Sequence, residues 1–241
     1  ENYFSRNFYF KLITKKAFKE AEIVSSPSIW LLERLKQLFK IKQTQLIRNA
    51  VDTSVFFPAE TNNQKRIFIH VSMMYPLKNV NGILMALAQL NKVNKDWQMI
   101  FVGPAPVRNR IQAVELGLDT QINWKGALAY ADVAKEMQKA DLLIHFSKYE
   151  NLPCVINEAL CCGLPVISSR VGGIAEIINT NNGVLIENEN NDQLTDAIVS
   201  FLQSPGRFNK EKISKEAAML FNLNSIGSQF IEMYCKVIKQ D

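Results

Sequence analysis

From residue 66 onward, short apolar runs alternate with longer segments whose apolar positions recur at helical spacing. Runs such as MIFVG and LLIHF are apolar throughout, which is typical of strands that helices cover on both faces. The predicted strands lie at 66–72, 97–103, 120–124, 141–146, 164–168 and 183–186. The predicted helices lie at 80–93, 107–117, 130–139, 153–162, 173–179, 190–203, 208–220 and 225–239. Strands separated by helices form βαβ units, so the pattern predicts an α/β fold, a Rossmann-like parallel sheet with helices on both faces.

The first 58 residues follow a different pattern. The predicted elements are a helix at 14–20, a strand at 21–25, a helix at 28–40 and a strand at 44–49. A polar connection then runs from Asn49 to Gln64. One or two strands and two helices are too few to form a sheet and a core of their own. Residues 1–58 are therefore expected to be the tail of an incomplete N-terminal domain with its linker, and residues 59–241 a Rossmann-like ligand-binding domain.

Positive charge is concentrated in the same opening segment. The first 50 residues hold ten Lys or Arg and four Asp or Glu, whereas the rest of the chain holds eighteen and nineteen. Lys11, Lys15, Lys16 and Lys19 fall mostly on one side of a predicted helix, beside the aromatic run at 8–10. Such a helix is suited to peripheral contact with an anionic membrane surface, but a solvated helix face is the favoured interpretation. The basic patch carries no recognisable nucleic-acid-binding motif, so a nucleic-acid partner is not expected.

Composition and cysteine spacing narrow the class of protein further. An apolar content of 47% is that of an ordinary soluble globular protein. No run approaches the roughly 20 apolar residues of a membrane span, and no secretory signal is visible, so the expected location is cytoplasmic, with the inner face of a membrane as the peripheral alternative. Cys161 and Cys162 are interpreted as small buried side chains, and no metal site is expected. His70 and His145 fall in predicted strands without companion ligands and are interpreted as core or strand-end histidines.

The segment from Phe146 to Glu176, FSKYENLPCVINEALCCGLPVISSRVGGIAE, carries the most chemical information. Glu150 follows a predicted strand, Pro153 favours the first position of a helix, and Glu158 comes just over a turn later. Free N–H groups at such a helix start favour an anion such as a pyrophosphate, whereas the carboxylates suit sugar hydroxyls. The alternative is that Glu150 caps the helix and Glu158 is solvated. Loops at the carboxyl ends of strands are where open α/β sheets bind ligands, which favours the ligand interpretation.

Three further features also lie at the carboxyl ends of predicted strands. Gly172 and Gly173 follow the next predicted strand and allow a ligand to approach the backbone closely. Gly103 ends the predicted strand at 97–103, and Lys78 follows the first strand, where its charge suits a phosphate. A plain turn and a solvent-exposed lysine are the simpler interpretations of these residues taken singly. The sequence contains no NAD-type GxGxxG after the first strand, no Walker A sequence and no G-x-S-x-G elbow.

Taken in order, these segments resemble the retaining, nucleotide-sugar-dependent glycosyltransferases of family four, which have the GT-B fold of two facing Rossmann-like domains. The resemblance rests on AEIVSSPS, IRNAVDTSVFFP, HVSMMYPLKN, FVGPAP, the Glu-x7-Glu pair and VGGIAEIINTNNGVLI. It covers nearly the whole chain. It implies that residues 1–58 close the acceptor-side domain and that residues 59–241 form the donor-binding domain.

The resemblance also implies a role for each matching residue. Of the two catalytic positions, Glu150 would hold hydroxyls of the donor sugar without acting as a covalent nucleophile, and Lys78 would contact the diphosphate. Glu158 would bind the ribose hydroxyls. The other implied donor-binding positions are Gly103, Trp124, Lys125, Gly126, Asn151, Leu152, Pro153, Cys154, Val155, Gly172 and Gly173. No cofactor and no metal are implied, because a helix dipole and basic side chains stabilise the leaving diphosphate.

The sequence departs from the family pattern at three positions. Met73 stands where the family often has an arginine, and Asn151 and Pro153 stand where glycines are usual, although a branch of the family is similar to this E-N-x-P form. The implied function is transfer of a sugar from a UDP- or GDP-sugar to a glycan or lipid-linked acceptor, with retention, in polysaccharide biosynthesis. Two alternatives remain: a nucleotide-sugar-binding module that is inactive without a separate acceptor domain, and a GT-B sugar-nucleotide epimerase.

Overall fold

The computed structural model describes residues 3–61, 63–204 and 206–238. The strands are β1 (Ile23–Ser26), β2 (Gln43–Leu46), β3 (Arg66–Val71), β4 (Trp97–Val102), β5 (Ile122–Gly126), β6 (Leu142–His145), β7 (Val166–Ser169) and β8 (Gly183–Ile186). The α-helices are α1 (Phe8–Glu20), α2 (Ile29–Leu38), α3 (Val80–Asn91), α4 (Val107–Glu115), α5 (Tyr130–Lys139), α6 (Cys154–Cys161), α7 (Asn191–Gln203), α8 (Lys210–Phe221) and α9 (Leu223–Ile238). Short 3₁₀ helices span Pro76–Lys78 and Ile174–Glu176.

Six strands form one parallel sheet in the order β5-β4-β3-β6-β7-β8. The chain builds the sheet outward from β3 in one direction, then returns to place β6 on the other side of β3. Strands β1 and β2 form a separate two-stranded parallel sheet. The predicted fold class, a parallel α/β sheet with helices on both faces, is confirmed.

Two apolar layers cover the two faces of the large sheet. Helices α5, α6 and α8 contribute to one layer, in which Ile156 and Leu160 of α6 are buried. Helices α3, α4 and α7 contribute to the other, in which Ile83 and Leu87 of α3 are buried. Because both faces are covered, the strands are apolar throughout. Cys161 and Cys162 are buried free thiols in the first layer, as predicted.

Two predicted helices differ from the structure by more than two residues. The helix predicted at 173–179 is wrong, because only a 3₁₀ turn, Ile174–Glu176, forms there. The Asn182 side chain accepts a hydrogen bond from the Asn179 backbone N–H, which favours a turn where the helix would continue. The helix predicted at 14–20 begins six residues earlier, where Asn7 caps it by accepting from the Phe10 backbone N–H.

The opening segment is attached to the larger sheet domain by polar contacts. The Glu176 carboxylate accepts from the backbone N–H groups of Ile29 and Trp30 at 3.0 and 2.8 Å, and so caps the start of α2. Arg48 forms an ion pair with the same carboxylate at 3.3 Å. These contacts fix where β1, β2 and α2 lie, while the domain boundary at residue 58 stays a prediction.

Helix α1 has no buried residue, and Phe8 and Tyr9 are exposed, as are Lys15, Lys16 and Lys19. Among the described helices, none has the length and apolar content that a membrane span requires. Peripheral membrane contact by α1 therefore stays a prediction.

Candidate functional site

The candidate site lies where the chain reverses direction across the sheet. Strands β3 and β6 are neighbours, but their connections lead to opposite edges, which makes their carboxyl ends a topological switch point. The loop after β3 holds Lys78, and the loop after β6 holds Glu150. The Lys148 backbone N–H donates to the Leu77 carbonyl oxygen at 2.8 Å, so the two loops are held together.

Glu150 is the centre of a charged cluster at this point. Its side chain is 11% exposed, with Lys78 Nζ 2.5 Å and His145 Nε2 2.9 Å from Oε1. Burial on its own would raise the pKa of Glu150, but the hydrogen bonds from His145 and Lys78, together with the ammonium charge of Lys78, outweigh it and lower this pKa to about 2. Glu150 is therefore a carboxylate at neutral pH, and the structure brings the two predicted catalytic residues into contact.

Glu158 has a different environment, although it lies just over one turn into helix α6, which follows the Glu150 loop. In the described part of the chain its carboxylate has no ion pair or side-chain hydrogen bond. Burial raises the pKa of Glu158 to about 7. Burial also raises the pKa values of Tyr130 and Cys154, with the charge of Glu158 as the next cause, so these three side chains share one site.

Helix α6 begins one residue later than predicted, because Pro153 is the N-cap, with φ −73° and ψ 129°, and not the first helical residue. The first backbone N–H groups, those of Cys154 and Val155, are at the open end of the helix, where the dipole favours an anion. Leu152 is buried in the α6 layer and so anchors the loop below this end. The predicted helix start is present, and phosphate binding to it stays a prediction.

Gly172 and Gly173 bring the loop after β7 against the Glu150 loop. A Cβ atom on Gly172, whose φ is +58°, would lie 2.1 Å from the Glu150 carbonyl oxygen. The Gly173 backbone N–H donates to the Asn151 carbonyl oxygen at 2.6 Å, and a Cβ there would lie 2.5 Å from Cβ of Ser28. The glycines are thus required by close approach of protein to protein; ligand approach to them stays a prediction.

The predicted residues at the ends of β4 and β5 have contacts with neighbours other than Lys78, Glu150 and Glu158. Any other residue at Gly103 would place a Cβ atom against the Ser72 carbonyl oxygen, so a glycine is required there. The Gly103 backbone N–H donates to the Gly126 carbonyl oxygen. The Trp124 ring stacks on Phe101 with centroids 4.4 Å apart, in the α3–α4–α7 layer. The Lys125 ammonium forms an ion pair with Glu136 of α5 at 3.5 Å. Contact of these residues with a nucleotide base stays a prediction.

The structure adds residues that sequence reasoning missed. His145 is the buried strand-end histidine that the sequence predicted, and its contact with Glu150 is what sequence reasoning missed. One sequence feature pointed to this contact: His145 is the last residue of β6, and the loop that follows β6 contains Glu150. Tyr130 lies near Glu158, and the Ser28 hydroxyl donates to the Asn151 side-chain oxygen at 2.6 Å. The latter two contacts join segments far apart in sequence and leave no local signal.

Fold and site together define an α/β protein with a charged cluster at the switch point of its sheet, the place where open α/β sheets bind ligands. The chain belongs to the family described as Glycosyl transferases group 1, whose profile matches residues 52–220. Family membership was predicted from the order of the sequence segments, and it is confirmed.

Curated relatives match most of the chain. The N-acetyl-alpha-D-glucosaminyl L-malate synthase of Bacillus anthracis is 26% identical over 238 residues, which cover 92% of this chain and 62% of the relative. The MMP alpha-(1->4)-mannosyltransferase of Mycolicibacterium hassiacum is 26% identical over 203 residues, covering 82% of this chain and 49% of the relative. The chain thus spans about half to two thirds of the length of these relatives.

Solved structures share the fold. Sucrose-phosphate synthase of Thermosynechococcus elongatus superposes with a TM-score of 0.86 at 23% identity, covering 100% of this chain and 64% of that one. The Anabaena protein HepE, in complex with UDP, superposes with a TM-score of 0.84 at 22% identity, covering 95% and 68%. At these identities the likeness establishes the fold alone.

Proposed function

We propose that this chain binds the donor in a glycosyltransferase that moves a sugar from a UDP- or GDP-sugar to a glycan or lipid-linked acceptor in polysaccharide or glycolipid biosynthesis. The observation that carries the proposal is the Lys78–Glu150 pair beside the open start of α6, at the switch point of the sheet. Family membership and the UDP bound in HepE support it. Retention of anomeric configuration is part of the proposal because it is what the family resemblance implies.

The two ends of the site suit the two ends of a nucleotide sugar. Lys78 and the N–H groups of Cys154 and Val155 offer positive charge and hydrogen-bond donors to the diphosphate. Glu150 is ionised and can accept only, so its partner is a hydroxyl of the donor sugar. Glu158, further along α6, would accept from the ribose hydroxyls, and its partly desolvated carboxylate strengthens those bonds.

Lys78 forms an ion pair with Glu150 in this structure. A diphosphate carries more negative charge than one carboxylate, so Lys78 would turn from Glu150 to the ligand when the donor binds. Charge on the departing diphosphate would then be stabilised by Lys78 and by the helix start, without a change in the fold.

Calorimetric titration of the chain with UDP, GDP and their common sugars tests the proposal. One nucleotide should bind, and Glu158→Ala should weaken that binding about 100-fold, because two hydrogen bonds to a charged acceptor are lost. Glu115→Ala is the matched control, since Glu115 is exposed at the far end of α4. Equal binding by Glu158→Ala and wild type would contradict the proposed donor site.

Stereochemistry and activity need a separate measurement. Where transfer is detected, proton NMR of the first product should show the anomeric configuration of the donor sugar. An inverted product would overturn the retaining part of the proposal. Donor that changes its sugar configuration without any acceptor would favour the epimerase.

A further inference from the structure

His145 is the last residue of β6, and its side chain is 1% exposed. Its Nε2 lies 2.9 Å from Oε1 of Glu150, the same oxygen that Lys78 contacts at 2.5 Å. Among the contacts of the described residues, both side-chain donors therefore fall on Oε1. Oε2 accepts from neither of these donors, so it is the oxygen left to accept from a ligand hydroxyl.

The partners of the two histidines require opposite proton positions. Nδ1 of His70 lies 2.9 Å from the Ile144 carbonyl oxygen, which can only accept, so Nδ1 carries the proton. The hydroxyl of Ser72, 2.7 Å from Nε2 of His70, then donates to that nitrogen. In His145, Nε2 faces a carboxylate and so carries the proton.

The second ring nitrogen of His145 agrees with this assignment. Within the described residues, Nδ1 of His145 is buried and has no hydrogen-bond partner. A buried N–H without an acceptor is costly, so Nδ1 is the unprotonated nitrogen and the proton stays on Nε2, toward Glu150. The Ser147 hydroxyl oxygen, 3.1 Å from the same Nε2, is the competing acceptor.

We propose that His145 is a positioning residue for Glu150: it holds Oε1 so that Oε2 meets a hydroxyl of the donor sugar. The inference rests on the proposed role of Glu150 as a ligand of that sugar. Lys78 and His145, which both donate to Oε1 of Glu150, then have different roles. When Lys78 turns to the diphosphate, His145 remains on Oε1 and keeps the carboxylate in place.

The first test uses the chain without ligand. It contains two histidines, so a long-range ¹H–¹⁵N spectrum of the imidazole rings has two sets of signals. His70 should show the Nδ1–H form and His145 the Nε2–H form. Glu150→Ala should shift the His145 nitrogens much more than those of His70, whose own hydrogen-bond partners are Ile144 and Ser72. Unchanged His145 signals in Glu150→Ala would assign its proton to Ser147 and overturn the inference.

The second test measures what His145 does for the ligand. The quantity is the ratio of the affinity for the nucleotide sugar to that for the bare nucleotide. His145→Leu should lower this ratio about tenfold, the effect of roughly one hydrogen bond to a charged group, and leave the bare nucleotide within about twofold. His145→Gln places an amide donor near the position of Nε2 and should restore most of the ratio.

A double-mutant cycle separates positioning from a structural role. In a Glu150→Ala background, His145→Leu should have no further effect on the ratio. An equal loss for both ligands, or a loss that persists without Glu150, would overturn the inference. If the wild-type chain binds no nucleotide, the proposed function fails, and the ring spectrum alone then decides whether His145 holds Glu150, with no dependence on the folding of a His145 variant.

Discussion

Glu150 and Glu158 are eight residues apart in one loop–helix unit, yet their surroundings oppose each other. Glu150 meets an ammonium and an imidazole, which outweigh burial and lower its pKa to about 2. Glu158 meets burial without a charged partner, which raises its pKa to about 7. Glu150 is therefore ionised throughout the neutral pH range, whereas Glu158 titrates within it. The environment of each glutamate, and not its residue type, sets its charge.

The difference follows from the sheet order. Glu150 lies at the switch point, where the neighbouring β3 loop places Lys78 beside it. Glu158 lies further along α6, on the side of the sheet that α5 also covers, near Tyr130. A ligand that spans both positions would meet a charged end and a more apolar end, as a nucleotide sugar with its diphosphate and its nucleoside would require.

The largest expected effect comes from moving the Glu150 loop while leaving Glu158 in place. The backbone φ of Gly172 is already positive, which strains an alanine there, and Gly172→Ala adds a Cβ atom 2.1 Å from the Glu150 carbonyl oxygen. We expect a loss of about 3 kcal/mol or more in the free energy of unfolding by urea. Gly117→Ala is the control, because its φ is also positive (+67°) but its Cβ meets nothing within 4 Å, and it should lose about 1–2 kcal/mol. Equal losses would show that the two loops are not in close contact.

The two carboxylates should shift stability in opposite directions. The folded-state pKa of Glu158 is raised, so its stability contribution is complete below the unfolded pKa of about 4.5 and is lost as pH rises through about 7. Glu158→Gln should therefore stabilise the chain by about 1–3 kcal/mol at pH 8 and little at pH 4.5. Urea unfolding at both pH values measures this.

Glu150→Gln should do the reverse. Its folded-state pKa is lowered, so its contribution is present above about pH 4.5 and is lost as pH falls through about 2. We expect a destabilisation of about 1–3 kcal/mol at pH 8, because the neutral amide leaves Lys78 without its carboxylate partner, while the removed cost of burying the Glu150 charge offsets part of the loss. If both variants changed the free energy of unfolding at pH 8 in the same direction, the two glutamates would not have opposite environments.

A smaller effect is expected in the pH dependence of binding. Ribose hydroxyls would favour ionised Glu158, so affinity for the nucleotide sugar should rise about fivefold from pH 6 to pH 8, through the pKa of about 7. Glu150 does not titrate in this window, and a nucleotide sugar lacks a terminal phosphate that does. Glu158→Gln should flatten the profile; a profile that stays steep would assign the titration to another group.

Much of the fold was predictable because strands buried on both faces leave apolar runs, and these place β3, β4 and β6 within one or two residues. The failures have local causes. The start of α1 carries exposed aromatic residues without an amphipathic pattern, so Phe8 gave no helical signal. The helix predicted at 173–179 assumed that Glu176 lies in a helix, whereas that side chain caps α2 from a 3₁₀ turn.

The site was predictable only in part. The spacing of Glu150, Pro153 and Glu158 indicated a ligand loop and a helix start. The contact of Lys78 with Glu150, 72 residues apart, depends on β3 lying next to β6, and one sequence does not determine strand order. The pKa values of the two glutamates likewise depend on three-dimensional neighbours. His145 was overlooked because an apolar strand pattern suggests a core residue at its end.

The most direct test titrates Glu150→Gln and Glu158→Gln, each with the preferred nucleotide and with its sugar derivative. Glu158→Gln should weaken both ligands by the same factor, because both contain the ribose. Glu150→Gln should weaken only the nucleotide sugar, about tenfold, and leave the bare nucleotide unchanged or bound more tightly, since Lys78 is then free for the diphosphate. Equal weakening of both ligands in both variants would contradict the division of the donor between the two carboxylates.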